Sequence, residues 1–246
     1  MVPAISVEGV SVRFRPYVDR KPTLRKSVNR LRSREATIVT AVDDVTFQVE
    51  KGEAFGIVGS NGAGKSTLMR CMARTLQPDE GRVVVDGRLS TLLQLGVGFI
   101  PELSGRRNIY LGCLAHGLRR RQIDERFDQI VDYAGLWDAI DRPIKTYSSG
   151  MFSRLGFSVS LALEPDILLL DEVFAVGDES FREKSRDSMM ELLDRSGTIV
   201  FVSHSLSVVE EFCHRTLWLK AGRVQSIGPS GAVIEQYRAH VASGRS

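Results

Sequence analysis

A glycine-rich loop at residues 59–66 constrains the fold of this 246-residue chain more than any other feature of its sequence. The loop reads Gly-Ser-Asn-Gly-Ala-Gly-Lys-Ser, follows an apolar strand pattern from Ala54 to Val58, and opens a helix pattern at Lys65. A strand, such a loop and a helix in this order are typical of a phosphate-binding P-loop. Glycines let backbone N–H groups converge on phosphate oxygens, and the start of the helix adds partial positive charge. A glycine-rich turn beside a solvated lysine is the alternative, and it does not account for the flanking strand and helix.

The residue types of this loop predict how a nucleotide would be held. Lys65 is expected to reach the β and γ phosphates and to act in catalysis, and Ser66 is expected to ligate Mg²⁺. The predicted nucleotide contacts in this region are Gly59, Ser60, Asn61, Gly62, Ala63, Gly64, Lys65, Ser66 and Thr67.

Two adjacent carboxylates end a second apolar run, which extends from Ile167 to Leu170. A continuous apolar run of this length is typical of a strand buried on both faces of a parallel sheet, and such sheets bind ligands at their carboxyl edge. Asp171 is predicted to hold Mg²⁺, and Glu172 is predicted to position or deprotonate the attacking water. Half-exposed carboxylates at strand ends are common, so this prediction depends on the P-loop being present as well.

Strand and helix patterns alternate along most of the chain, which predicts an α/β core. Strands are predicted at 4–14, 45–49, 54–58, 167–170 and 198–202, with two more around Gly222. Val83 to Val85 with the turn residues Asp86-Gly87 predicts a hairpin strand and its turn. Residues 106–162 have helical spacing, and further helices are predicted at 179–193 and near 232–240.

Composition excludes several classes of protein. The apolar runs are far shorter than the roughly 20 residues that a spanning helix needs, and no secretory leader pattern follows Met1. We therefore expect cytosolic residence. The three cysteines are scattered without a CxxC pair, which argues against disulfides and a zinc site and favours buried thiols.

Positive charge is concentrated in one short segment. Between Arg13 and Arg34, nine arginines and lysines face one acidic residue, Asp19, so this segment carries +8 while the whole chain carries +3. A nucleic-acid binder more often spreads its basic residues over a folded face. Apolar residues at helical spacing predict a basic amphipathic helix within an insertion at about 15–36. One hypothesis places it at the membrane side near anionic headgroups or a phosphorylated lipid, and the alternative is a solvated charged helix.

The segment Tyr147-Ser-Ser-Gly-Met151, shortly before the Asp171-Glu172 strand, resembles the signature loop of the ABC ATPases. Ser148 and Gly150 match its most informative positions, whereas Tyr147, Ser149 and Met151 depart from the commonest version. The form found here is similar to that of the polysaccharide-exporting ABC ATPases, of the O-antigen, teichoic-acid or lipid-linked glycan type. The basic insertion and the run 92–105 share this similarity.

The resemblance implies further site residues. In the family the signature loop, here Ser148, Ser149 and Gly150, completes the ATP site of a second subunit in a head-to-tail dimer. His204 stands where the family has a catalytic switch histidine, and Asp178 matches the dimer-contacting loop. The resemblance also implies that Gln94 senses Mg²⁺ and the transporter, and that Phe14 stacks on adenine, with core packing as the alternative for Phe14.

The fold implied by the resemblance is one ABC nucleotide-binding domain. Its parallel sheet would carry an antiparallel β edge and a helical subdomain, with the core at about 1–94 and 161–228, the helical lobe at about 95–160 and a last helix at about 229–241. The implied activity is hydrolysis of ATP to ADP and phosphate, with ATP and Mg²⁺ bound. The implied partners are a membrane permease, a second copy of the chain and a lipid-linked glycan as cargo, with no nucleic acid. The alternative is a soluble ABC ATPase that acts on nucleic acid or the ribosome.

Overall fold

A computed structural model describes residues 2–15, 38–91, 98–171, 179–194, 197–202 and 205–244. Its strands are β1 Ile5–Phe14, β2 Val39–Val49, β3 Ala54–Val58, β4 Glu80–Val85, β5 Leu89–Thr91, β6 Ile167–Asp171, β7 Thr198–Val202, β8 Arg215–Lys220 and β9 Arg223–Pro229. Its helices are α1 Lys65–Met72, α2 Gly105–Ala115, α3 Arg120–Ala134, α4 Ser149–Ala162, α5 Glu179–Asp194, α6 Leu206–Phe212 and α7 Ser230–Ala242. The predicted α/β class is confirmed.

The larger sheet has six strands in the order β5-β6-β7-β3-β8-β9. Its strands pair in parallel except for β8 and β9, which form an antiparallel hairpin around Ala221 and Gly222. This sheet lies between two hydrophobic cores. Alternate residues of the apolar strand β6 point into one core and then the other. Ile167 and Leu169 belong to one core cluster, and Leu168 and Leu170 belong to the other. The sheet is therefore covered on both faces, as its unbroken apolar strands require.

The smaller sheet is antiparallel, with the order β2-β1-β4. Inward residues of β1 such as Ile5, Val7 and Val10 pack with α1 residues such as Leu68 and Met72 against one face of the six-stranded sheet. Alternating side chains of these strands thus cover the parallel sheet from one side. The predicted antiparallel edge is present as this separate three-stranded sheet.

The predicted hairpin around Asp86-Gly87 is wrong. β4 pairs with β1 rather than with the strand that follows it, and β5 pairs with β6 in the other sheet. The turn therefore carries the chain from one sheet to the other. At the crossing, the backbone N–H and the guanidinium of Arg88 both donate to Asp166, and these bonds lower the pKa of the Asp166 carboxyl.

Helices α2, α3 and α4 enclose a third cluster of buried side chains. Ile109 of α2, Ile123 and Ile130 of α3 and Leu155 of α4 are all within it. Apolar residues recur at helical spacing on the inner face of each helix, which is the pattern that packs amphipathic helices together. Among the helices of the residues described above, none combines the length and the apolar character needed to cross a bilayer.

The cysteines are buried free thiols, which confirms the expectation from their spacing. Burial raises the pKa from 9.0 to about 11 for Cys71 and Cys113, and to about 12 for Cys213. The thiolate is the reactive form of cysteine, so all three are protected at neutral pH both by low access and by protonation.

We predict that none of these thiols reacts rapidly in the native protein at pH 8. Ellman's reagent should label the native chain far more slowly than the chain unfolded in guanidinium chloride, and a Gln225→Cys variant, with its exposed thiol on β9, should label at once. Because the folded pKa values are raised, the stabilisation from these groups is complete below pH 9 and is lost as the pH rises towards 11–12. Rapid labelling of a native wild-type cysteine at pH 8 would contradict this burial.

Candidate nucleotide-binding site

The glycine-rich loop connects the end of β3 to the start of α1, as its sequence predicts. Gly64 caps the helix with φ 104°, and the Nζ atom of Lys65 donates to the carbonyl oxygens of Gly59, at 2.7 Å, and Ser60, at 3.0 Å. Lys65 is only 6% exposed. Its charge is therefore fixed at the centre of the loop, where a phosphate group would be held.

Two glycines of the loop leave no room for a side chain. A Cβ atom on Gly59 would lie 2.3 Å from the carbonyl oxygen of Leu219, and one on Gly64 would lie 2.2 Å from that of Ala41. These neighbours are backbone atoms that no rotamer change can move. The loop is thus held between β8 and β2 by close backbone contact at both of its ends.

The polar rim of the loop remains open. Ser60, Asn61, Gly62 and Ser66 are exposed, and Thr67 is half-buried. Backbone N–H groups at the start of α1 have no earlier helical turn to bond, so this rim combines exposed donors with a positive helix end. The arrangement is that of an anion site.

The register of the parallel sheet brings Asp171 to the same edge. Asp171 of β6 pairs with Val202 of β7, and Val202 pairs with Ile57 of β3. Asp171 therefore lies level in the sheet with Ile57, which is two residues before Gly59. Neighbouring strands lie about 4.8 Å apart, so the backbones of Asp171 and Ile57 are separated by about 10 Å across the sheet.

Ser148 caps the start of α4 and accepts a hydrogen bond from the backbone N–H of Met151 at 3.2 Å. Ser148 and Ser149 are exposed, and Gly150 is half-buried. α4 packs against α2 and α3, whereas α1 packs against the antiparallel sheet. The two helix starts that carry the predicted nucleotide contacts therefore belong to different layers of the chain.

Tyr147 fixes the loop before this cap. Its hydroxyl donates to the carbonyl oxygen of Ala139 at 2.8 Å, and burial raises the pKa of that hydroxyl. A Cβ atom on Gly105 would lie 2.3 Å from the same hydroxyl oxygen, so the tyrosine ring occupies space that a larger residue at 105 would fill.

The sequence matches the family described as "ABC transporter" over residues 42–175, which is more than half of the chain. The chain belongs to the ABC transporter family. It is accordingly an ATPase whose hydrolysis is coupled to transport, as the sequence predicted.

Named relatives agree with the predicted resemblance to polysaccharide exporters. The chain is 45% identical over 202 residues to an "O-antigen export system ATP-binding protein RfbB" of Klebsiella pneumoniae, which covers 82% of each protein. It is 36% identical over 241 residues to a "Teichoic acids export ATP-binding protein TagH" of Shouchella clausii, which covers 98% of this chain and 67% of the relative.

Solved structures share the fold. One titled "Structure of ATP binding subunit of ABC transporter" superposes with a TM-score of 0.76 at 21% identity, over 95% of this chain and 93% of that one. The ADP- and phosphate-bound dimer of the cassette MJ0796 superposes with a TM-score of 0.75 at 20% identity, over 92% and 98%. These similarities confirm the predicted ABC ATPase core.

The structure describes only some of the remaining site residues that the resemblance to the family predicts. Phe14 ends β1 opposite Val39 and is 42% exposed, so its ring lies at the surface, and its contact with adenine stays a prediction. Gln94, Glu172, Asp178 and His204 lie outside the described residues, as does the basic insertion from residue 16 onwards. The strands that precede three of them, β5, β6 and β7, end at the edge that carries Asp171.

Sequence reasoning missed a buried asparagine of this ABC domain. Asn108 of α2 is fully buried, and its Oδ1 atom accepts from the backbone N–H of Ile100 at 2.7 Å. Its Nδ2 group lies 3.0–3.1 Å from the carbonyl oxygens of Ile100, Leu103 and Ser104. One side chain thus organises the segment that follows residues 92–97. The sequence did contain a signal, namely an asparagine side chain four residues after Ser104, the N-cap of α2. Such a side chain can form hydrogen bonds with the backbone of the cap and of the loop that precedes it.

We predict that Asn108→Ala lowers the free energy of unfolding by about 2 kcal/mol, because it removes the partner of several backbone groups at once. Arg107→Ala, on the exposed side of the same helix, should change it by less than about 0.5 kcal/mol. Urea denaturation followed by circular dichroism would measure both. Equal, small changes in the two variants would show that the Asn108 bonds do not stabilise the fold.

Proposed function

We propose that the chain is the ATP-hydrolysing subunit of an exporter that moves a lipid-linked polysaccharide outward across the cytoplasmic membrane with a separate permease. The observation that supports this most is the buried Lys65 at the centre of the P-loop, at the same edge of the parallel sheet as Asp171. The names of the relatives supply the class of cargo, since RfbB is an O-antigen export protein and TagH a teichoic acid export protein.

The residues at this edge fit Mg²⁺ bound with ATP. Ser66 supplies an exposed hydroxyl at the start of α1, and Asp171 supplies a carboxylate at the end of β6. Hydroxyl, carboxylate and amide oxygens are ligands that Mg²⁺ accepts, so Ser66, Asp171 and Gln94 would hold it. The ion would neutralise charge on the phosphate oxygens.

Hydrolysis would then depend on groups that follow the strand ends. Glu172 comes directly after Asp171 and would orient or deprotonate the attacking water. His204 comes two residues after the end of β7 and would contact the γ-phosphate and Glu172. Lys65 would bind the β and γ phosphates as their charge shifts towards the leaving group.

A second copy of the chain would complete each site. Ser148, Ser149 and Gly150 are presented at an exposed helix start, and they lie in another layer of the fold from the P-loop of their own chain. A head-to-tail dimer would bring this helix start to the γ-phosphate held by the partner's P-loop, with Asp178 at the dimer contact. The dimeric MJ0796 cassette has this same fold.

The proposed division of labour follows the domain boundaries predicted from the sequence. The core at about 1–94 and 161–228 binds nucleotide, and the helical lobe at about 95–160 faces the permease beside Gln94 on the cytoplasmic side of the membrane. The basic insertion at about 15–36 carries the excess of positive charge and would lie near anionic headgroups.

Co-expression with a candidate membrane permease tests the proposal. We expect a stable complex whose ATPase activity rises when lipid-linked oligosaccharide is added, and no response to DNA or RNA. An isolated chain that forms no complex and is stimulated by nucleic acid would refute export and favour a soluble ATPase.

A Glu172→Gln variant tests the catalytic assignment. We predict that it binds ATP normally, loses turnover by at least ~100-fold, and accumulates as a dimer with ATP during size-exclusion chromatography. Glu183→Gln, a substitution at an exposed position on α5, should keep wild-type turnover and should not accumulate as the ATP-bound dimer. Wild-type hydrolysis by Glu172→Gln would remove Glu172 from the mechanism.

A further inference from the structure

The turn between β8 and β9 is bonded to the P-loop. The backbone N–H of Gly222 donates to the carbonyl oxygen of Ala63 at 2.9 Å, inside the glycine-rich loop. The carbonyl oxygen of Gly222 accepts from the backbone N–H of Asp43 in β2, also at 2.9 Å. One residue of the turn therefore joins the nucleotide loop to the antiparallel sheet through both of its backbone groups.

Gly222 itself is packed too tightly for a side chain. Gly222 has φ 80°, and a Cβ atom there would lie 2.9 Å from the carbonyl oxygen of Ala41 and 3.2 Å from the Cα atom of Val42. That carbonyl oxygen is also the one that excludes a side chain from Gly64. The end of the P-loop, the start of β2 and the β8–β9 turn thus meet at one backbone oxygen.

An ion pair closes the contact from outside. The guanidinium of Arg223, the residue after the turn, donates to the Asp43 carboxylate at 2.7–2.8 Å. Arg223 is largely exposed, so the pair adds little energy by itself. The ion pair instead restricts the position of the turn, because it holds the turn against β2 next to the two backbone hydrogen bonds of Gly222.

We infer that Gly222 is a positioning residue for the P-loop, and this inference rests on the proposed role of the loop in binding ATP. The bond from Gly222 to the Ala63 carbonyl fixes the peptide plane between Ala63 and Gly64. The N–H of Gly64 belongs to that plane, and so its direction is set by the turn. Phosphate binding depends on the direction of such N–H groups, because a loop that is misoriented by a fraction of an ångström loses several bonds together.

The test compares Gly222→Ala with Gly117→Ala. Gly117 has φ 85°, close to that of Gly222, but no atom lies within 4 Å of a Cβ built there. Both variants therefore carry the same cost of placing alanine in the left-handed region, and only Gly222→Ala pushes on Ala41 and the loop. Titration of the full-length chain with a fluorescent ATP analogue gives the Kd, and thermal unfolding without nucleotide gives the stability.

We expect Gly222→Ala to raise the Kd for ATP about fivefold over Gly117→Ala, measured at a temperature at which the unfolding curves show both variants to be folded. A Kd equal to that of Gly117→Ala would overturn the inference, whether or not the midpoint falls. Lys65→Ala serves as the reference for the loop itself. If Lys65→Ala binds ATP as the wild type does, the proposed role of the P-loop is wrong. If Lys65→Ala loses affinity and Gly222→Ala does not, only the role of Gly222 is wrong.

Hydrogen exchange on the wild-type chain decides the matter if Gly222→Ala does not fold. A ligand and the contacts that orient its site stabilise each other reciprocally. Addition of a non-hydrolysable ATP analogue should slow exchange of the Gly222 and Asp43 amides at least about threefold, and should leave the hydrogen-bonded amides of Gly117 and Leu118 in the α2–α3 connection unchanged. Unchanged exchange at Gly222 and Asp43 in a chain saturated with the analogue would overturn the inference.

Discussion

The parallel pairing of β3 with β7 on one side and β8 on the other is the constraint on which the nucleotide site depends. It places Gly59, the first residue of the loop, directly after a strand that is buried on both faces and bonded along both edges. The pairing of β7 with β6 then brings Asp171 to the same edge. A shift of one residue in either register would turn alternate side chains to the opposite face, so the two cores that hold the sheet also hold the site.

Sequence predicted the elements better than it predicted their partners. The apolar run of β6 and the glycine pattern after β3 are local signals, and both elements lie where expected. The choice of partner for β4 is not local. Asp86-Gly87 does form a tight connection, but Asp166, far along the chain, binds Arg88 and draws the next strand into the parallel sheet. Turn residues indicate that the chain changes direction and do not indicate which strand it meets next.

The same distinction applies within the site. The chemistry predicted for Lys65, Ser66 and Asp171 follows from their residue types and positions, so the sequence alone is enough to propose them. Gly222 acts through its backbone, and a glycine just before a strand is common in tight turns that bind nothing. Asn108 acts on the backbone of a segment earlier in the chain. Such roles depend on which atoms are close in three dimensions, and no motif in one sequence specifies that.

Helix α4, which follows Ser148, packs into two cores. Leu155 and Val159 belong to the cluster that it shares with α2 and α3, whereas Phe157 belongs to the cluster beneath the parallel sheet. The ring of Phe157 packs edge-on against Phe181 of α5 at 5.9 Å. Because close-packed interiors transmit small displacements, a push on the helical lobe would move Ser148 together with α5. In the proposed exporter, a permease bound to the helical lobe would in this way alter the proposed dimer contact without touching the nucleotide.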